Sequence, residues 1–143
     1  MKRIMFLLSV IFFSLGLYAQ NPCDAKLTDR TRSNIGKDAT YIQGMMGSET
    51  GTRLEGGSFS LALNEGVLYR FTTGSSELTQ VDVIVNLYYG FDKKLIKQQV
   101  VTPGKTSNFE YLCDKTGKYS IRLSFKEKGK SCVQVLLSKV NKG

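Results

Sequence analysis

The chain has 143 residues, no histidine and a formal net charge of +8. Without histidine, Ser-His-Asp and Cys-His catalysis as usually built are excluded, and the commonest transition-metal ligand is missing. Cys23, Cys113 and Cys132 show no C-x-x-C spacing, so no zinc or redox site is expected, and no cofactor.

The first element in chain order is an export signal. Lys2 and Arg3 form a positive start, Ile4 to Leu17 an apolar run, and Leu17-Tyr18-Ala19 ends on a small residue suited to signal peptidase. The apolar run is short of the roughly 20 residues a membrane helix needs. Residues 1–19 therefore read as a signal peptide cleaved after Ala19. No second apolar span follows, so a periplasmic or extracellular location is expected, with no membrane span after cleavage. Residues 20–38 are a polar lead-in, either a short helix or irregular. Residues 39–143 are long enough for one domain with its own core.

From Ala39 onward the chain alternates strands and turns. "ATYIQGMM" is a strand interrupted by Gly44, and "GSETGTRLEGG" a polar loop. "SFSLAL" and "VLYRFTT", joined by "NEG", carry the signature of a β-hairpin. "VDVIVNLYY" is the strongest strand. Val81, Val83, Val85, Leu87 and Tyr89 line one face, and Asp82, Asn86 and Tyr88 the other. "LIKQQVV", "SNFEYLC", "KYSIRLSF" and "SCVQVLLSKV" complete the set, with "KEKGK" read as the turn of a last hairpin. About eight short strands with turn signals every 8–12 residues predict an all-β fold, an antiparallel two-sheet sandwich of jelly-roll type. Connections this short disfavour a parallel sheet with crossover helices.

"EGVLYRFTT", "VDVIVNLYYGFDKKLI" and "TGKYSIRLSF" resemble successive strands of the bacterial pre-peptidase C-terminal domain, over roughly Ser58 to Ser138. The resemblance implies a jelly-roll-like sandwich on an exported protein, often an accessory module beside an enzyme. Cys113 and Cys132 fall outside that pattern. The chain is also similar to small exported bacterial proteins with C-x-x-T-G-x-Y and a later cysteine, here Cys113, Thr116, Gly117, Tyr119 and Cys132.

Several stretches look like sites. "PGKTS" has the tail of a phosphate-binding loop, but Gln99 stands where its first glycine belongs, and a strand follows where a helix is needed. The loop around Gly51 lacks the regular aspartate spacing of calcium loops. Asp82, Asp92, Glu77 and Glu110 are carboxylates, yet nothing marks two of them as the pair that glycoside hydrolysis requires. Tyr88, Tyr89 and Phe91 cluster beside lysines. Tyr88, on the outer face, is the candidate for stacking on a ligand.

The charge is concentrated near the C-terminus. Lys2 and Arg3 carry two of the eight excess charges. Residues 20–112 hold 10 basic and 10 acidic side chains, and residues 113–143 hold 8 and 2. If Tyr119, Ile121, Leu123 and Phe125 face the core, Lys118, Ser120, Arg122, Ser124 and Lys126 face out, with Lys128 and Lys130 crowding the turn. These cations either protect a strand edge from pairing or attract an anionic glycan, a lipid head group or an envelope protein. Nucleic acid is not expected outside the cell. The function expected is a non-enzymatic binding module, with Tyr88, Lys118, Arg122, Lys126, Lys128 and Lys130 as contacts. The alternative is a structural or accessory subunit of a cell-envelope assembly.

Export favours one disulfide. Cys113–Cys132 is the first pairing to consider, with Cys23 bonded to one of the two, or no bond at all, as the alternatives. If both cysteines flank strands of one sheet, their sulfurs stand roughly 20 Å apart at about 3.3 Å per residue. The Cys113–Cys132 bridge therefore requires the chain to change sheets near Cys113.

Overall fold

Alternating β-branched or aromatic residues and small polar ones build eight strands: β1 (Ala39–Thr50), β2 (Glu55–Leu63), β3 (Leu68–Ser75), β4 (Val83–Tyr89), β5 (Lys94–Val101), β6 (Thr106–Leu112), β7 (Gly117–Phe125) and β8 (Lys130–Val140). One helix, α1 (Leu27–Ser33), precedes them. The structure, a computed structural model, describes residues 23–90 and 94–141. The residues expected to form a signal peptide, the expected cleavage site, Phe91 and Asp92 lie outside the described residues.

The strands form two four-stranded sheets, ordered β1-β8-β3-β6 and β2-β7-β4-β5. Every neighbouring pair is antiparallel. Among the described residues, β4 and β5 are the one consecutive pair in the same sheet; every other connection crosses the sandwich. This is the jelly-roll arrangement expected from the strand count.

Two connections differ from the sequence reading. The "NEG" turn does not close a hairpin: β2 pairs with β7, while β3 pairs with β6 and β8. Likewise "KEKGK" leads from β7 in the second sheet to β8 in the first. Alternation states which side chains share a face, but a short turn can pass over the rim as readily as fold back in one sheet. At the first rim Gly66 takes a φ of 83°, which glycine adopts without strain. Its N–H donates to the Cys113 carbonyl at 2.8 Å.

The core lies between the sheets. Val83, Val85 and Leu87 of β4 and Tyr119, Ile121, Leu123 and Phe125 of β7 meet Tyr69 and Phe71 of β3 and Val133, Val135 and Leu137 of β8. Phe71 stacks on Phe109 of β6 with centroids 4.8 Å apart. Each such side chain contributes about 1.5–3 kcal/mol by leaving water.

The polar stretch before β1 is folded against the first sheet from Cys23 onward. Leu27 and Thr31 of α1 are buried, and Arg30 Nη2 donates to the Ser75 carbonyl at 2.8 Å. Thr31 fills the space over Gly74, where a β-carbon would strike it. Arg70 of β3 ties down the chain after the helix, meeting Asp38 at 2.6 Å, Glu110 at 2.6 Å and the Ile35 carbonyl at 2.7 Å.

The disulfide joins Cys23 to Cys132, and Cys113 is a free, buried thiol. The expected Cys113–Cys132 bridge is thereby corrected. Cys113 donates its N–H to Val67 just before β3, while the Cys132 carbonyl accepts from Ser76 just after it. The two cysteines thus sit beside opposite ends of one strand, roughly 30 Å apart at about 3.3 Å per residue. No bridge spans that distance.

Candidate binding face

The outer face of the second sheet gathers the polar side chains that alternation turns away from the core. Register places Ser58, Arg122, Asn86 and Gln98 in one row across β2, β7, β4 and β5. The next row holds Ser60, Ser120, Tyr88 and Leu95. The Arg122 guanidinium carbon lies 6.0 Å from the centre of the Tyr88 ring, within reach of a cation–π contact.

Hydrogen bonds fix the amides of that row. Gln98 Nε2 donates to Asn86 Oδ1 at 2.8 Å, and Asn86 Nδ2 donates to Ser124 Oγ at 3.3 Å. β2 bulges between Glu55 and Ser58, and there its pairing with β7 slips. A groove of about 240 Å³ opens beside the bulge, lined by Glu55, Ser58, Asn86, Tyr88, Arg122 and Ser124. The groove offers a carboxylate, hydroxyls, an amide, a guanidinium and a ring edge within one small volume.

The structure separates the six side chains singled out in the sequence. Tyr88 and Arg122 meet. Lys118 shares their face, beside Ala62. Lys126 lies about 26 Å along the strand direction from Lys118 at about 3.3 Å per residue. It reaches Asp82 at 3.7 Å, an exposed pair of little energetic weight. Lys128 follows in the rim crossover and Lys130 opens β8, its backbone held by Gln80: its N–H donates to Oε1 at 3.0 Å and its carbonyl accepts from the Gln80 N–H at 2.8 Å. Ser120, expected to face solvent, is buried because its hydroxyl donates to the Gly90 carbonyl at 2.9 Å. Gly90, directly after β4, lies against it.

The remaining sequence candidates resolve into local structure. Gly104 in "PGKTS" sits in a turn with φ 74°, its N–H bonded to the Ser76 carbonyl at 3.1 Å. Glu49 bonds to the Thr50 N–H at 3.1 Å and the Thr52 hydroxyl at 3.3 Å. Desolvation raises its proton affinity, but the donors of Thr52, Thr50 and Gly51 outweigh it and hold the carboxyl below its usual range. Glu110 meets Arg70, Glu77 meets Arg30 and Asp82 meets Lys126, on three separate parts of the surface. Among the described residues no three His, Cys, Asp or Glu side chains converge as a metal ion requires. Also among the described residues, no helix is long and apolar enough to cross a membrane.

The sequence reading missed Gln98 and the groove beside the bulge. Gln98 lies in the weakest strand, and its alignment with Asn86 depends on a register shift between Leu87 and Tyr88. The extra residue puts Leu95 and Gln98, three positions apart, on one face, so a strict two-residue period assigns one of them wrongly.

No protein-family model matches the chain, and no curated protein matches its sequence. What the structure bears out of the likeness to the pre-peptidase C-terminal domain is the two-sheet sandwich. A solved structure described as "CBM4 structure and function" aligns with a TM-score of 0.46 and 14% identity, over 57% of this chain and 59% of that one. The chain thus spans less than two thirds of that structure's length.

Proposed function

We propose that the chain is an exported, non-enzymatic binding module that holds a saccharide on the outer face of its second sheet. The observation that carries this reading is the Ser58–Arg122–Asn86–Gln98 row with the Tyr88 ring beside it. Saccharide hydroxyls pair with amides and guanidinium groups, and the C–H face of a pyranose packs on an aromatic ring. Side chains already held by neighbours lose little freedom on binding, which favours affinity. The Cys23–Cys132 bridge supports export, because such bonds persist in oxidising compartments. Electrophoresis through gels cast with neutral and acidic polysaccharides tests the reading. Retardation in at least one gel, lost in Tyr88→Ala, is the expected result. Equal mobility of both proteins in every gel overturns it.

The alternative, an accessory subunit of an envelope assembly, draws on β1. This edge strand leaves Tyr41, Ile42 and Met46 43%, 48% and 47% exposed and has no lysine or proline to block pairing. An Ile42→Lys variant that stays folded should then lose co-purification with envelope proteins. Unchanged co-purification removes this reading.

A further inference from the structure

A second concavity opens at one end of the sandwich, lined by a different set of residues from the groove beside the bulge. It lies between the end of β4, the start of β5, β6 and the β6–β7 crossover. Its volume is about 630 Å³, within the range of about 300–1,000 Å³ usual for small-molecule sites.

Three tyrosines shape it. Tyr119 forms the floor and is 1% exposed. Tyr89 meets it edge to face, centroids 5.2 Å apart at 78°, and Tyr111 tilts against it at 5.8 Å. Gly117 makes room for this arrangement, since a β-carbon there would sit 3.3 Å from the Tyr89 ring.

The hydroxyls are committed inward. Tyr119 donates to the Lys115 carbonyl at 2.5 Å, and Tyr111 donates to Asp114 Oδ1 at 2.9 Å. The Cys113 thiol, 3.5 Å away, donates to the Tyr119 oxygen. Burial pushes the Tyr119 hydroxyl far above the ordinary phenol range, and Tyr111 is raised for the same leading reason. Both rings stay neutral, so the trough presents ring carbon to its contents.

The charges sit on the rim. The Lys115 ammonium lies 5.2 Å from the centre of the Tyr89 ring, and Lys94, the cross-strand partner of Tyr89, also lines the cleft. Among the described residues neither has a carboxylate within ion-pair distance. Asp114 is engaged by Tyr111. The cleft therefore offers aromatic walls with two cations at its rim.

We propose that this cleft binds a single sugar residue bearing a carboxylate, a uronate, with its ring against Tyr89 and Tyr111 and its carboxylate between Lys94 and Lys115. The site shares no lining residue with the outer-face groove, and the two readings stand or fall separately.

The test is a ¹H–¹⁵N NMR titration of the purified protein with glucuronate, glucose and acetate in turn. Saturable shifts are expected with glucuronate at Tyr89, Tyr111 and residues 114–119, at least tenfold weaker with glucose or acetate. Lys94→Gln combined with Lys115→Gln should weaken glucuronate at least tenfold while the rest of the spectrum is unchanged. Tyr88→Ala, which disables the outer face, should leave this titration as it was. Shifts absent from the cleft, equal saturation by glucuronate and glucose, or equal saturation by glucuronate and acetate would each overturn the proposal.

Discussion

Opening the Cys23–Cys132 bridge should destabilise the domain more than any single surface change. The bond closes a loop with a sequence separation of 109 residues. The chain-entropy relation gives nearly 5 kcal/mol for a loop of about that length, and measured bridges commonly give about 2–4 kcal/mol. The bond also holds Cys23 against β8, just ahead of the helix that covers Gly74. For a domain of this size a loss of about 3 kcal/mol lowers the melting temperature by about 10–15 °C. The assay is urea unfolding of the oxidised protein, the reduced protein and Cys23→Ser. Reduced protein and Cys23→Ser should unfold together, at clearly lower urea than the oxidised form. Coincident transitions for all three would refute the reasoning, as would a peptide map that places Cys113 in the bond.

Three further predictions follow from the packing. Gly74→Ala should cost about 1–3 kcal/mol by overpacking, because its methyl strikes Thr31; adding Thr31→Ala should restore part of the loss in urea unfolding, and two additive losses would place the conflict elsewhere. Burial alone would raise the Asp24 carboxyl, but the Glu77 N–H, the Ser76 hydroxyl, Arg30 and the Lys26 N–H outweigh it and hold it below its ordinary range. The unfolded chain then binds the proton more readily, so this stabilisation is complete above about pH 4 and disappears as pH falls through the lower folded value. The stability gap between wild type and Asp24→Asn should accordingly close in acid, and a gap constant from pH 6 to pH 2 would exclude the linkage. Cys113, buried beside Tyr119, should resist a thiol reagent in the native protein and react fully after unfolding; rapid native labelling would show that its cover is wrong.

What the sequence made legible was the facing of individual strands. In "VDVIVNLYY" the residues Val81, Val83, Val85 and Leu87 are buried as the two-residue period predicts, and in "KYSIRLSF" the same holds for Tyr119, Ile121, Leu123 and Phe125. β3 shows the limit. Tyr69 and Phe71 point inward as expected, yet Thr72 on the outer side is buried too, because α1 lies over that face. A polar residue on the outer face of a strand carries no sign of what will cover it. Partner choice was equally hidden. "SFSLAL" and "VLYRFTT" look like a hairpin because three residues separate them, but their partners lie more than 30 positions further on. Tyr88 and Arg122 could be assigned to outer faces from alternation alone. Their meeting required β4 and β7 to be neighbours, which periodicity does not encode. The spread of the basic run was hidden for the opposite reason: Lys118 and Lys126 look close in the sequence, but an extended strand carries them far apart.

The central claim is that ligand rests on the Tyr88–Arg122 face and not on the lysine-rich crossover. Calorimetric titration with an oligosaccharide of the polysaccharide that retards the protein tests it most directly. Three proteins are compared: wild type, Tyr88→Ala with Arg122→Ala, and Lys126→Gln with Lys128→Gln and Lys130→Gln. Truncating a central aromatic or arginine contact typically costs more than about 1.4 kcal/mol, a tenfold change. The account predicts at least that loss for the face variant and unchanged affinity for the crossover variant. Affinity retained by the face variant and lost by the crossover variant would contradict it.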